Sequence, residues 1–118
     1  MIVEKPWGHY EDIYRVGDVV FKRLIIKPGQ SISYQTHSKR GEFWFVASGR
    51  GQLKFSFDVS PKEVYSVITL EPGQTMDIQK SMAHQATCLG DISLVIYEMQ
   101  YGECEESDIT RIDDPYKR

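Results

Sequence analysis

This chain has little cysteine, little histidine, no surplus of positive charge and no long apolar run. Cys88 and Cys104 are its only cysteines among 118 residues, and their spacing suits neither a disulfide framework nor a zinc knuckle. Fourteen Lys+Arg stand against 17 Asp+Glu, a formal net charge of −3. Nucleic acid and acidic membrane surfaces both require a strong cationic excess, so neither is expected as a partner. No apolar stretch approaches the roughly 20 residues of a helical membrane span. The opening MIVEKPWGHYED has no basic segment followed by an apolar one, so no secretory signal is read and a cytoplasmic location is expected. There are three histidines. Any imidazole-based chemistry must use most of them.

What is present is an ordinary globular composition, 41% hydrophobic and 12% aromatic, in a length that fits one domain, residues 1–118. Short apolar or alternating segments suggest strands at Asp18 to Lys27, Ser31 to His37, Glu42 to Ser48, Gln52 to Asp58 and Val64 to Leu70. Thr75 to Gln79, His84 to Leu89 and Ile92 to Gln100 complete the series. Pro28-Gly29, Gly49-Arg50-Gly51 and Pro72-Gly73 punctuate it as turns. Turn signals at this rate, with no sustained helical period before residue 100, predict an all-β jelly-roll or barrel. The acidic stretch from Glu103 reads as a short solvated C-terminal tail with room for one helical turn before Pro115, packed back through Ile109.

A few polar residues break the apolar pattern. Gln35 and His37 are spaced by two, so on a strand they share a face. Glu42 opens the next strand and can approach His37 if the two strands pair, and His84 starts a later strand. An isolated strand histidine is usually a hydrogen-bonded structural residue. Four such groups meeting in one barrel mouth would instead suit a divalent metal ion: Zn, Mn, Co, Ni or Fe.

The order of these residues resembles the cupin motifs. Gly29, Gln35, His37, Glu42 and Gly49 fall at the positions of the first motif, with Gln35 in place of its first His. Gly73 to Cys88 resembles the second motif, whose ligand position falls on His84. The whole chain is similar to the type II phosphomannose isomerase domain, often found C-terminal to a guanylyltransferase. Val3 to Glu11 (VEKPWGHYE), Lys22 to Gln35, the Glu98-x-Gln100-x-Gly102 run, Asp108-Ile109-x-Arg111 and Tyr116-Lys117-Arg118 carry that resemblance. No Gly-rich nucleotide loop precedes the domain, so guanylyl transfer is not expected.

The resemblance implies a double-stranded β-helix (cupin barrel). It also implies a metal-dependent aldose–ketose isomerase acting on mannose 6-phosphate and fructose 6-phosphate through a cis-enediol. Gln35, His37, Glu42 and His84 would hold the ion, and Arg40, at the family's signature Arg, would act as a catalytic cation. The partner would be a small phosphorylated sugar, and a homodimer is expected from cupin habit. Where the family has three consecutive histidines, this chain has His37-Ser38-Lys39. Lys39 is therefore a candidate base or phosphate contact, or a plain solvated cation, and Lys80 a further candidate phosphate contact. Arg40 could equally be one half of a surface ion pair. Two alternatives stay open: a nucleotide-sugar ketoisomerase or epimerase on the same fold, and a cupin that binds sugar or metal without turnover.

Overall fold

The computed structural model describes residues 1–58 and 60–117. Arg118 of the closing segment lies outside the described residues. Every regular element among them is a strand: β1 (Ile2–Lys5), β2 (Gly8–Val16), β3 (Val19–Ile26), β4 (Tyr34–Thr36), β5 (Arg40–Ser48), β6 (Gly51–Ser56), β7 (Ser66–Leu70), β8 (Thr75–Ile78), β9 (Ala83–Cys88), β10 (Leu94–Gly102) and β11 (Thr110–Asp113). No helix among the described residues is long and apolar enough to cross a membrane.

All pairings are antiparallel and form two sheets. One has the order β1-β2-β3-β10-β5-β8 and the other β11-β4-β9-β6-β7. Their inner faces enclose a single core, giving the expected double-stranded β-helix.

Period-two alternation fixes which residues face inward, and register then sets their level along the barrel. On β10 the inward positions are Leu94, Ile96, Glu98 and Gln100. Ile96 stands opposite Leu24 of β3 and Val46 of β5, so that level is apolar. One step on, Glu98 stands opposite Lys22 and Trp44, and Gln100 opposite Glu42. On β9 the same change runs from Cys88 and Ala86 to His84. The barrel therefore has an apolar floor, filled by Ile26, Val46, Leu53, Leu94 and Ile96, and a polar mouth.

The strand expectations differ from the structure in three places. Residues 2–16 form the β1–β2 hairpin, which the charges of Glu4, Lys5, Glu11 and Asp12 conceal. The segment Ser31 to His37 is a ladder strand only at Tyr34–Thr36, with Ser31 making one isolated bridge to Thr87. The acidic tail closes one turn, Asp108 N donating to the Glu105 carbonyl at 3.0 Å, but forms no helix among the described residues. It crosses the barrel mouth and then pairs as β11 against β4. Gly102 makes that departure possible: its φ is 100°, and a Cβ there would lie 2.6 Å from the Lys39 carbonyl oxygen.

Candidate metal centre

Gln35 of β4 and His84 of β9 are direct cross-strand partners, and His37 follows immediately after β4. Glu42 comes from the other sheet. The expected pairing of its strand with that of His37 does not occur, because β5 pairs with β10 and β8. Glu42 reaches His37 by facing it across the barrel, with His37 Nε2 3.3 Å from Glu42 Oε2. His84 Nε2 lies 3.8 Å from Glu42 Oε1. His37, Glu42 and His84 are all buried, and one donor atom from each falls within 4.8 Å of the others.

Hydrogen bonds orient each donor. His37 Nδ1–H donates to the Asp108 carbonyl at 2.6 Å, and His84 Nδ1–H donates to the Met82 carbonyl at 2.9 Å. A carbonyl can only accept, so both rings carry their proton on Nδ1 and turn an Nε2 lone pair to the centre. Burial lowers the His37 pKa to about 4, with Arg40 and His84 adding to the shift. Burial likewise lowers His84 to about 4. Both imidazoles are therefore neutral at pH 7, as metal ligation requires. His84 Nε2 has no hydrogen-bond partner among the described residues. Trp44 Nε1–H fixes the carboxylate by donating to Glu42 Oε1 at 2.9 Å.

These features fit a divalent ion. Bonds of about 2.1 Å in tetrahedral or octahedral array put neighbouring donors roughly 3.0–3.4 Å apart, close to the His37–Glu42 separation. Gln35 is at the edge of the group, but its Oε1 accepts from Ser33 Oγ at 2.7 Å while its Nε2 faces His37 Nε2 at 3.4 Å. It would ligate through oxygen only after its amide turns over.

Arg40 is buried inside the site. Its Nε–H donates to Glu42 Oε2 at 3.0 Å, and Nη2 lies 3.2 Å from His37 Nε2. Lys39 and Lys80 point elsewhere. Both line a separate depression with Asp18, Ser38 and Glu103, outside the cavity that holds His37. The Lys39 side chain is 53% exposed and 3.9 Å from Glu103 Oε2, so the burial that a base would need is missing.

The cavity itself measures about 170 Å³. It contains residues that sequence reasoning gave no role, notably Lys22, Glu98, Gln100 and Glu106. Burial, reinforced by Glu42, raises the Glu98 carboxyl to about 7, against the pull of Lys22 and Arg40. Their signal was available: each of Lys22, Glu98 and Gln100 is a polar residue at an inward parity position of an apolar strand.

Residues 1–114 match the family described as mannose-6-phosphate isomerase C-terminal. The chain belongs to that family. Among family relatives, the alginate biosynthesis protein AlgA of Pseudomonas syringae pv. tomato is 34% identical over 117 residues, covering 98% of this chain and 23% of AlgA. The mannose-1-phosphate guanylyltransferase ManC of Salmonella typhimurium is 30% identical, covering 98% of this chain and 23% of ManC. The chain thus spans about a quarter of the length of the curated relatives it matches. Among solved structures, CapF of Staphylococcus aureus, a capsular polysaccharide assembling protein, superposes with a TM-score of 0.84 at 18% identity, covering 96% of this chain and 34% of CapF. Oxalate decarboxylase of Lactobacillus farciminis superposes at 0.79 and 15% identity, covering 95% of this chain and 33% of that enzyme. At such identities the likeness shows the shared cupin barrel.

Proposed function

We propose that this domain is a metal-dependent aldose–ketose isomerase that interconverts mannose 6-phosphate and fructose 6-phosphate. The observation that carries this reading is the buried His37–Glu42–His84 group, of which His37 and Glu42 line a cavity with an ionisable carboxyl on its wall. Membership of the mannose-6-phosphate isomerase C-terminal family supports the substrate.

The reaction moves a proton between C1 and C2 through a cis-enediol, and negative charge builds on the sugar oxygens. A bound divalent ion supplies an electrophile for that charge. His37, His84 and Glu42 would hold it, with Gln35 as a fourth donor, through its oxygen, once its amide turns. Arg40, fixed by Glu42, places a guanidinium against the developing anion. The remaining imidazole positions of the family signature are Ser38, Lys39 and Phe43 here, so the proton carrier must be another group. Glu98 fits: it is buried, it lines the cavity, and its carboxyl at about 7 can both take and return a proton near neutrality.

Incubation of the divalent-ion-loaded protein with mannose 6-phosphate should yield fructose 6-phosphate, and chelation should stop it. Absence of product with Mn, Zn, Co, Ni and Fe in turn would sink the reading. A second reading, sugar binding without turnover, is favoured by one observation: Arg40 already satisfies Glu42 and His37 with an internal cation. It predicts a purified protein without metal and with no thermal response to divalent ions.

A further inference from the structure

A buried lysine must be neutralised, and the way Lys22 is neutralised is unusual. Lys22 sits on the inner face of β3 at 3% exposure. Its register partner Asp12 is 3.7 Å away, and its ammonium lies 4.1 Å from the centre of the Tyr10 ring. The contact that satisfies it directly is Glu106, which belongs to the segment crossing the mouth and whose side chain is 54% exposed. Lys5 also stands over Tyr10, at 5.8 Å, and Lys5, Lys22 and Arg40 all line the cavity that holds His37 and Glu42.

We infer that Lys22 and Lys5, within the field of Arg40, form a subsite for a phosphomonoester group, and that Glu106 occupies it as an internal carboxylate which the ligand displaces. The inference deepens the isomerase reading and rests on it for the sugar attached to the phosphate.

Three observations support it. First, the crossing segment is tethered on both sides of Glu106 without using the Glu106 side chain. Glu103 N donates to the Lys39 carbonyl at 3.1 Å, and Arg40 Nη1 reaches the Glu105 carbonyl at 3.5 Å. Beyond it, the Asp108 carboxylate accepts from Ser38 N, Ser38 Oγ and Lys39 N at 2.8–3.0 Å. Glu106 can swing out while the segment stays in place. Second, the surroundings favour an anion. Burial pushes the Glu106 carboxyl up, yet Lys22, followed by Arg40 and Lys5, outweighs it and holds the carboxyl below its ordinary range. A phosphomonoester brings more charge and three acceptor oxygens to the same lysine point charges, while Arg40, held by Glu42, Glu105 and His37, adds its positive field. Third, the subsite shares one cavity of about 170 Å³ with His37 and Glu42 of the candidate metal group. A ligand anchored by phosphate at Lys22 would extend toward the metal centre.

The test is titration of inorganic phosphate into the full chain in chelator, so that neither metal nor turnover enters. Glu106→Gln should tighten phosphate about tenfold, with neutral mannose unaffected. Adding Lys5→Ala or Lys22→Met to Glu106→Gln should reverse the gain. Circular dichroism checks the fold, and Lys5→Ala decides alone if Lys22→Met unfolds. Phosphate affinity indifferent to Glu106→Gln, or a gain that Lys5→Ala leaves intact in that background, would overturn the subsite. An active isomerase with that result would keep its function and lose this subsite. A protein that gains phosphate affinity on Glu106→Gln but never turns over mannose 6-phosphate would do the reverse.

Discussion

Arg40 and Glu42 sit two residues apart on one strand face, and the guanidinium Nε–H donates to the carboxylate at 3.0 Å. The strand that offers the candidate metal centre a carboxylate also supplies a cation that competes for it. Replacing Arg40 with Met removes a positive charge from beside the ion's position. Divalent-ion affinity should rise by about tenfold or more, while isomerisation falls. Calorimetric titration with Mn or Zn reads the first effect, and weaker metal binding in the variant would contradict it.

Metal binding should stabilise the fold by mass action. An ion at 100 times its Kd adds about 2.7 kcal/mol, which for a domain of this size means several degrees in Tm. His84→Ala or Glu42→Gln should abolish that response. A response retained in both variants would place the ion elsewhere.

Acid should destabilise the metal-free protein through the two histidines. Both fold with a pKa of about 4 against an ordinary 6.5. Between those values the unfolded chain binds protons that the folded state refuses. Stability is therefore full above pH 6.5 and is lost as pH falls toward 4, by roughly 1 kcal/mol per histidine for each pH unit. Glu98 works in the opposite direction. Folded at about 7 against an ordinary 4.5, it costs stability as pH rises through that window. Glu98→Gln should thus steepen the acid loss. Urea midpoints measured in chelator across this range test both signs, and a flat profile would refute them.

Glu98→Gln also separates proton transfer from binding. Turnover should drop about 100-fold or more, the scale of a lost general acid–base group, with metal binding retained. Full activity in this variant would remove Glu98 from the mechanism.

Gly102→Ala places a Cβ 2.6 Å from the Lys39 carbonyl oxygen at a φ of 100°. The strain should cost on the order of 1–3 kcal/mol and disturb the segment that carries Glu106 and Asp108. Denaturant unfolding measures the cost. An unchanged midpoint would mean that the chain can leave β10 by another path.

The barrel was legible because turns and alternation are local properties. Pro28-Gly29 and Pro72-Gly73 mark their turns through glycines with φ of 77° and 90°. The spacing that unites Gln35 with His37 is likewise local. Strand order is not, so Glu42 was expected beside His37 in one sheet when it faces His37 from the other. The same gap hid Lys22 and Glu98. On a single strand each is one polar residue among apolar ones, and only the register across β3, β10 and β5 stacks them at one level. Lys39 differs in the other direction: it fills a position where the family has a histidine, yet it lies just before β5 with its side chain 53% exposed beside Glu103.

The change from apolar floor to polar mouth has an evolutionary consequence. Most of the apolar packing lies at the level of Ile96 and below, while the proposed chemistry lies at the level of Glu98 and above. Inward side chains near the rim can then be exchanged without dismantling what makes the barrel stand. A scaffold partitioned in this way can keep its shape while its inward side chains change, which accords with a TM-score of 0.84 to CapF surviving at 18% identity.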